Sequence, residues 1–154
     1  MQLATLCYVR KNGKTLMIYR NKKPNDVHEG KWNGLGGKFN AGEMPEECAV
    51  REVLEESGLR VKNPRLHGIL TFPLFSGGKD WYVFVYVFDD FDGNLIESDE
   101  GQLAWIDDNE LLNLNLWEGD LYFLRWINEK RFFSGKFIYE AGRLQDYKVI
   151  FHDI

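Results

Sequence analysis

Three glutamates, Glu52, Glu55 and Glu56, recur at the spacing that gathers side chains on one side of a helix. With Glu52 set to zero and about 100° per residue, Glu56 lies at about 40° and Glu55 at about −60°, while Val53, Val50 and Leu54 fall at about 100°, 160° and 200°. One face is thus expected to be carboxylate and the other aliphatic. Each like-charge pair at i, i+3 or i+4 costs a helix roughly 0.2–0.5 kcal/mol, so a cation should offset the repulsion. Carboxylates are hard oxygen ligands, and a cluster of this kind suits Mg²⁺, which keeps several waters and is shared between protein carboxylates and substrate phosphates. The plainer explanation of such a stretch is a solvated acidic face, and the glutamates alone do not exclude it.

Their surroundings do more. From Gly37 to Leu59 the chain reads Gly37, five residues, Glu43, seven residues, Arg51-Glu52, an aliphatic, any residue, Glu55-Glu56, any residue, Gly58 and an aliphatic. Fixed identities at these seven positions, each met at about one position in fifteen, give a chance match on the order of one in 10⁸ per starting point. The stretch resembles the Nudix box without a departure. That resemblance implies that Arg51 and Glu43 brace the loop and orient the catalytic carboxylates. Read from the helix alone, Arg51 could equally pair with Glu47 or Glu55 at the surface, a contact of little worth.

The box needs a loop and a helix to carry it. Pro45 suits a first helical position and Gly58 a left-handed residue just past the last turn, so the helix is predicted over about Pro45 to Ser57. Leu3 to Arg10 and Thr15 to Tyr19 flank Asn12-Gly13, a hairpin signal. Arg20 to Trp32 reads as a loop, Gly34 to Lys38 as a short strand, and Val61 to Leu74 and Trp81 to Phe88 as strands around Ser76-Gly77-Gly78-Lys79. A short strand over Leu103 to Ile106, a helical turn near Asp108 to Leu112 and a second helix over Leu121 to Lys130 follow. A hairpin of Phe133 to Tyr139 and Leu144 to Phe151 around Ala141-Gly142 closes the chain. Strands before and after each helix predict an α/β fold with a mixed sheet between helices, and the resemblance makes this the Nudix α/β/α sandwich.

At 154 residues and 44% hydrophobic, the chain is expected to form one domain over 1–154, with the box at 37–59. A net charge of −5 argues against nonspecific binding of nucleic-acid polymers or an anionic membrane, both of which need a basic surface. Cys7 and Cys48 match neither a disulfide framework nor a zinc site. No basic leader or long apolar run is seen, so a cytoplasmic protein is expected.

Nearly the whole length also resembles the MutT-type diphosphatases that destroy oxidised purine nucleoside triphosphates. The matching pieces are Lys31 to Lys38 entering the box, Glu97-Ser98-Asp99-Glu100, and Trp117 to Asp120. The resemblance implies metal binding by the Gly37 carbonyl and by Glu52, Glu55, Glu56 and Glu100, and a nucleotide site built from Lys23, Gly36, Gly37, Lys38, Asn33, Phe72, Trp81, Trp117, Asp120 and Tyr139. Phe72 and Trp81 could equally be core residues, Asp120 could be the N-cap of the second helix, Glu100 part of an acidic turn and Lys23 a solvated loop lysine. Gly119 stands where close relatives carry an acidic residue, a departure that bears on how many oxidised purines the pocket accepts. The activity implied is Mg²⁺-dependent hydrolysis of 8-oxo-dGTP to 8-oxo-dGMP and pyrophosphate, with Mn²⁺ as a possible substitute and Glu52 or Glu100 as general base. Protein partners are not indicated. Two alternatives stand beside this activity: an ADP-ribose or other nucleoside diphosphate pyrophosphatase, to which Pro73 points weakly, and an idle nucleotide sensor, which typically lacks a box carboxylate whereas every one is present here.

Overall fold

The computed structural model describes residues 1–153. The Asn12-Gly13 turn joins β1 (Gln2–Lys11) to β2 (Lys14–Arg20), as predicted. Strand β1 alternates faces: Ala4 and Tyr8 point to one core, Cys7 and Val9 to the other. Burial on both sides makes β1 a central strand, and it runs parallel to β6 (Lys79–Phe88) over eight paired positions. The mixed sheet continues from β6 to β5 (Arg65–Ser76), then β9 (Phe132–Glu140) and β10 (Arg143–His152). On its other side lie β2, the two-residue β3 (Trp32–Asn33) and β8 (Gly101–Asp107), the last two both paired to β2.

Helix α1 (Pro45–Ser57) covers one face and α2 (Asp120–Asn128) the other. Ala49 and Val53 of α1 pack on Cys7, Val9, Tyr86 and Phe88, while Phe123, Leu124, Trp126 and Ile127 of α2 pack on Val83, Val85, Leu70, Phe133 and Phe137. The predicted sheet between helices is therefore present. Among the described residues no helix is long and apolar enough to cross a membrane.

Several boundaries differ from the sequence reading. The stretch predicted as one strand from Val61 to Leu74 is two, β4 (Arg60–Lys62) and β5, because Asn63 takes a left-handed φ of 56° ahead of Pro64 and turns the chain. Strand β4 pairs with β7 (Asp90–Asp92) in a separate two-stranded sheet that was not predicted. The expected strand from Gly34 to Lys38 is reduced to isolated bridges from Leu35 to Cys7 and from Lys38 to Ala4 beside β3, since Gly36, at φ 127°, breaks the extended run. The turn near Asp108 to Leu112 is a 3₁₀ turn over Leu111–Asn113.

Candidate active site

Helix α1 begins where Pro45 allows and ends at Gly58, whose φ of 82° provides the left-handed C-cap. Its inward side differs from the aliphatic face predicted. Leu54 is 40% exposed, whereas Glu56 is 6% exposed and lies on the same side as Cys48, Ala49 and Val53. The helix thus turns Glu52 and Glu56 toward the glycine loop, while Glu55 stays exposed. Gly36 N–H donates to Glu56 Oε1 at 3.0 Å. A Cβ at position 37 would lie 2.6 Å from Glu52 Cδ, so only glycine lets that carboxylate rest against the loop.

Arg51 brings the box together. Its Nε and Nη2 donate to Glu43 at 2.6 and 2.9 Å, a bidentate grip, and Nη2 also reaches the Lys38 carbonyl at 3.0 Å. Nη1 donates to Glu52 at 2.9 Å and to Glu55 at 3.2 Å. Hydrogen bonding from Arg51 holds the Glu43 carboxyl down at about 2. Arg51 therefore makes the bracing contact and the helix-surface contact to Glu55 at once, and the contact to Glu47 is not made. Glu47 instead accepts from Met44 N–H at 2.9 Å, at the start of α1.

Glu100, at the end of the segment before β8, faces this cluster. Arg20 Nη1 lies 3.6 Å and Lys23 Nζ 3.2 Å from its carboxylate. Among the described residues no three acidic, His or Cys side chains stand as a closed metal cage; Arg51 is shared by Glu43, Glu52 and Glu55, and Glu100 faces both Arg20 and Lys23. The donor set nevertheless fits a hard cation. Glu56 Oε2 is buried without a partner, and burial first, then Glu100, push this carboxyl well above the usual range. A buried, unpaired oxygen beside two further carboxylates is a place where a divalent cation would relieve both desolvation and repulsion.

Adjoining the cluster is a cavity of about 580 Å³. Glu52, Glu100, Gly36, Gly37 and Lys38 lie at its acidic side, and Asn33, Phe72, Trp81, Trp117 and Asp120 line the rest. Phe72 and Trp81 serve both readings, since each also packs on the core below. Trp81 is held by its Nε1–H to the Ser76 carbonyl at 3.0 Å, with Lys38 Nζ 5.6 Å over its ring. Asp120 does not cap α2: Gly119 is the N-cap, and Asp120 is the first helical residue, with no side-chain cap bond. It is 7% exposed, and burial pushes its carboxyl up to about 8, with Lys31 opposing. Asn33 Nδ2 is likewise buried without a partner. Tyr139 lies behind the lining: its ring meets Trp117 edge-on at 5.2 Å and its hydroxyl accepts from Gly119 N–H at 2.6 Å. Lys23 is outside the lining, beside Glu100.

The sequence reading did not single out His28, Phe75, Arg20 and Asp26, which also line the cavity. Phe75 packs on Trp117, Tyr139 and Phe72 at 5.0, 5.7 and 5.4 Å. Trp117 Nε1–H donates to His28 Nδ1 at 2.8 Å. These residues sit in or beside loops with no motif of their own, and an aromatic two residues after Pro73 and a histidine in a largely polar loop carried no periodic signal.

A zebrafish (Danio rerio) protein named oxidized purine nucleoside triphosphate hydrolase is 32% identical over 91% of this chain and 88% of its own length. A Bacillus subtilis (strain 168) protein described as the uncharacterized Nudix hydrolase YvcI is 34% identical over 80% of this chain and 77% of its own. The crystal structure of a mutator MutT protein from Bacillus halodurans superposes with a TM-score of 0.85 at 32% identity, covering 97% of each chain. The family profile described as NUDIX domain matches residues 1–127. An intact box, held by Arg51 on a glycine loop, therefore stands in a chain that belongs to the Nudix hydrolase family.

Proposed function

We propose that the protein is a Mg²⁺-dependent nucleoside triphosphate pyrophosphohydrolase that converts 8-oxo-dGTP to 8-oxo-dGMP and pyrophosphate. The observation that carries this reading is the pair Asp120 and Asn33, a buried carboxyl and a buried amide whose Nδ2 has no hydrogen-bond partner, in an aromatic cavity that opens onto the carboxylate cluster. Buried polar groups without partners are costly, so they favour a ligand that satisfies them and reject one that does not. Oxidation of guanine at C8 turns N7 from an acceptor into an N–H donor and adds a carbonyl. Asp120 and Asn33 supply acceptors and a donor for a purine edge, and Trp117 a stacking face. The relative named for oxidised purine nucleoside triphosphates supports the same substrate class.

Glu52, Glu55, Glu56, Glu100 and the Gly37 carbonyl would hold Mg²⁺, or Mn²⁺ in its place. When bound, the cation neutralises charge that builds on the phosphate oxygens. Glu52 or Glu100 accepts the proton of the attacking water as its oxygen bonds to phosphorus and the bridging P–O bond breaks, releasing pyrophosphate. Arg51 and Glu43 act by positioning: their bidentate contact orients Arg51, whose Nη1 reaches Glu52 beside Gly37. Lys23 and Lys38 offer cations to the phosphates. We assign the whole of 1–154 to one Nudix domain, since β9 pairs directly with β5 beyond the profile match, and place the protein in the cytoplasm, in keeping with two free buried cysteines.

A panel of 8-oxo-dGTP, dGTP, 2-hydroxy-dATP and ADP-ribose with Mg²⁺, scored for pyrophosphate against phosphate release, tests the reading. Asp120→Ala is expected to erode the preference for 8-oxo-dGTP over dGTP. Trp117→Ala should weaken both by roughly 1–3 kcal/mol, as for a base stacked on an aromatic. Wild-type preference for ADP-ribose would overturn the substrate.

A further inference from the structure

The loop over residues 21–31 connects the two halves of the site. Its ends are tied by Arg20 N–H to the Lys31 carbonyl at 3.0 Å and by Gly30 N–H to the Arg20 carbonyl at 2.8 Å. Asn115 Nδ2 secures it from outside, donating to the Gly30 carbonyl at 2.7 Å. Inside the loop, Asp26 divides its carboxylate. Oδ1 accepts from His28 N–H at 3.1 Å, a turn in which the side chain takes the place of a backbone acceptor. Oδ2 lies 2.8 Å from Arg20 Nε, off the line of the N–H bond, so this contact is mainly ionic. Both side chains are largely withdrawn from water, at 15% and 10% exposure for Arg20 and Asp26.

Each end of this chain of contacts meets a residue of the site. His28 is the hydrogen-bond partner of the Trp117 indole, at 2.8 Å, and packs edge-on to its ring at 5.7 Å. Accepting at Nδ1 requires a neutral imidazole, in agreement with burial of the ring. Arg20, at the other end, is shared between Asp26 and Glu100. Whatever Arg20 yields to one carboxylate it withdraws from the other. An indole has one donor, so a rotation of the Trp117 ring must move His28 or break this bond. His28 moves with the backbone N–H that Asp26 holds.

We propose that Arg20, Asp26 and His28 form a positioning relay that ties the ring plane of Trp117 to the carboxylate of Glu100, coupling occupation of the aromatic cavity to the geometry of the acidic cluster. The relay rests on the reading of that cavity as the base site. The variants are therefore compared on whichever nucleotide the wild type itself hydrolyses best, so a wrong substrate and a wrong relay give different results. His28→Ala, which removes the ring but keeps the N–H that Asp26 accepts, is expected to lower kcat about tenfold as well as raise KM, because a local support of Trp117 would change KM alone. His28→Asn, whose Oδ1 replaces the Nδ1 acceptor, should return both constants to within about threefold of wild type. Asp26→Asn keeps the acceptor for His28 N–H but loses the charge facing Arg20. It should lower kcat about tenfold alone and less than about twofold further in the His28→Ala background, the signature of one shared pathway. A kcat unchanged in His28→Ala, or full additivity in the double variant, overturns the relay. A second readout needs no substrate. The ¹H–¹⁵N indole signal of Trp117, identified by its loss in Trp117→Phe, should shift in Asp26→Asn although residue 26 does not touch the indole. An unmoved signal overturns the relay as well.

Discussion

On the proposed reading, Asp120 serves the site at the expense of the fold. Its carboxyl titrates at about 8 because burial disfavours the charge, and Lys31 only partly opposes this. In the unfolded chain the same group is an ordinary carboxyl near about 4. Between those values the folded protein keeps a proton that the unfolded chain has released, so the stability contributed by this group falls as pH rises through that window. Asp120→Asn keeps the shape and removes the titration. Thermal melts between pH 5 and pH 8 should show a smaller loss of Tm with rising pH in the variant than in the wild type, and parallel curves would refute the shift. His28 and His67, held down to about 4 by burial, have the opposite sign: neutral in the fold, they cost stability as pH falls from about 6.5 toward 4. They are present in both proteins and cancel in the comparison. The resemblance singled out the residue, but not its environment. An aspartate at a helix start reads as a cap, and only the packing of Trp117, Asn33 and Phe123 around one cavity makes it a buried acid.

At the scale of elements, the ends of α1 were legible and its orientation was not. Pro45 and Gly58 act through backbone geometry that any helix obeys, so the predicted limits agree with the observed ones. Which side turns inward depends on the neighbours. The loop from Gly36 to Glu43 offers the Gly36 N–H to Glu56 and is gripped by Arg51 of the helix at the Lys38 carbonyl and Glu43, so part of the inner face is polar and Glu56 goes in while Leu54 stays out. The break at Asn63-Pro64 was also written in the chain, but the apolar residues on either side masked the turn signal. On the proposed reading, the buried carboxylate of Glu56 facing two others suits α1 to a cation at the expense of stability. Glu56→Gln should therefore leave the melting temperature in the absence of metal unchanged or raised, since one term of repulsion and desolvation is lost. The same change should abolish most of the stabilisation that added Mg²⁺ gives the wild type, an effect that follows ligand concentration over Kd. Thermal melts across a Mg²⁺ titration decide it: equal shifts in the two proteins would remove Glu56 from the ligand set.

The site as a whole draws on the full length of the chain. Thr5 comes from the first strand, the acidic face from α1, Phe75 and Trp81 from the hairpin of β5 and β6, and Trp117 from the turn before α2. Behind them stands Tyr139 of β9, beyond the residues that match the family profile. Its ring closes the aromatic box around Trp117 and Phe75, and its hydroxyl accepts the Gly119 N–H at the start of α2. Gly119 and Tyr139 are fitted to each other, because a Cβ at 119 would come 2.8 Å from the Tyr139 hydroxyl and equally close to the Phe137 ring. Tyr139→Phe preserves the ring contacts and leaves a half-buried N–H unpaired, at a cost of about 1–3 kcal/mol. A lower Tm and, on the proposed reading, a raised KM for the nucleotide are expected together, since Trp117 and the helix that carries Asp120 both lean on this contact. Gly119→Ala should do the same by pushing the hydroxyl away. Two changes that break one contact cost less together than the sum of their separate effects. Denaturant melts of the two single variants and the double one therefore test whether the C-terminal hairpin holds the pocket through this bond. Strict additivity would mean that the hairpin acts through packing of its rings alone.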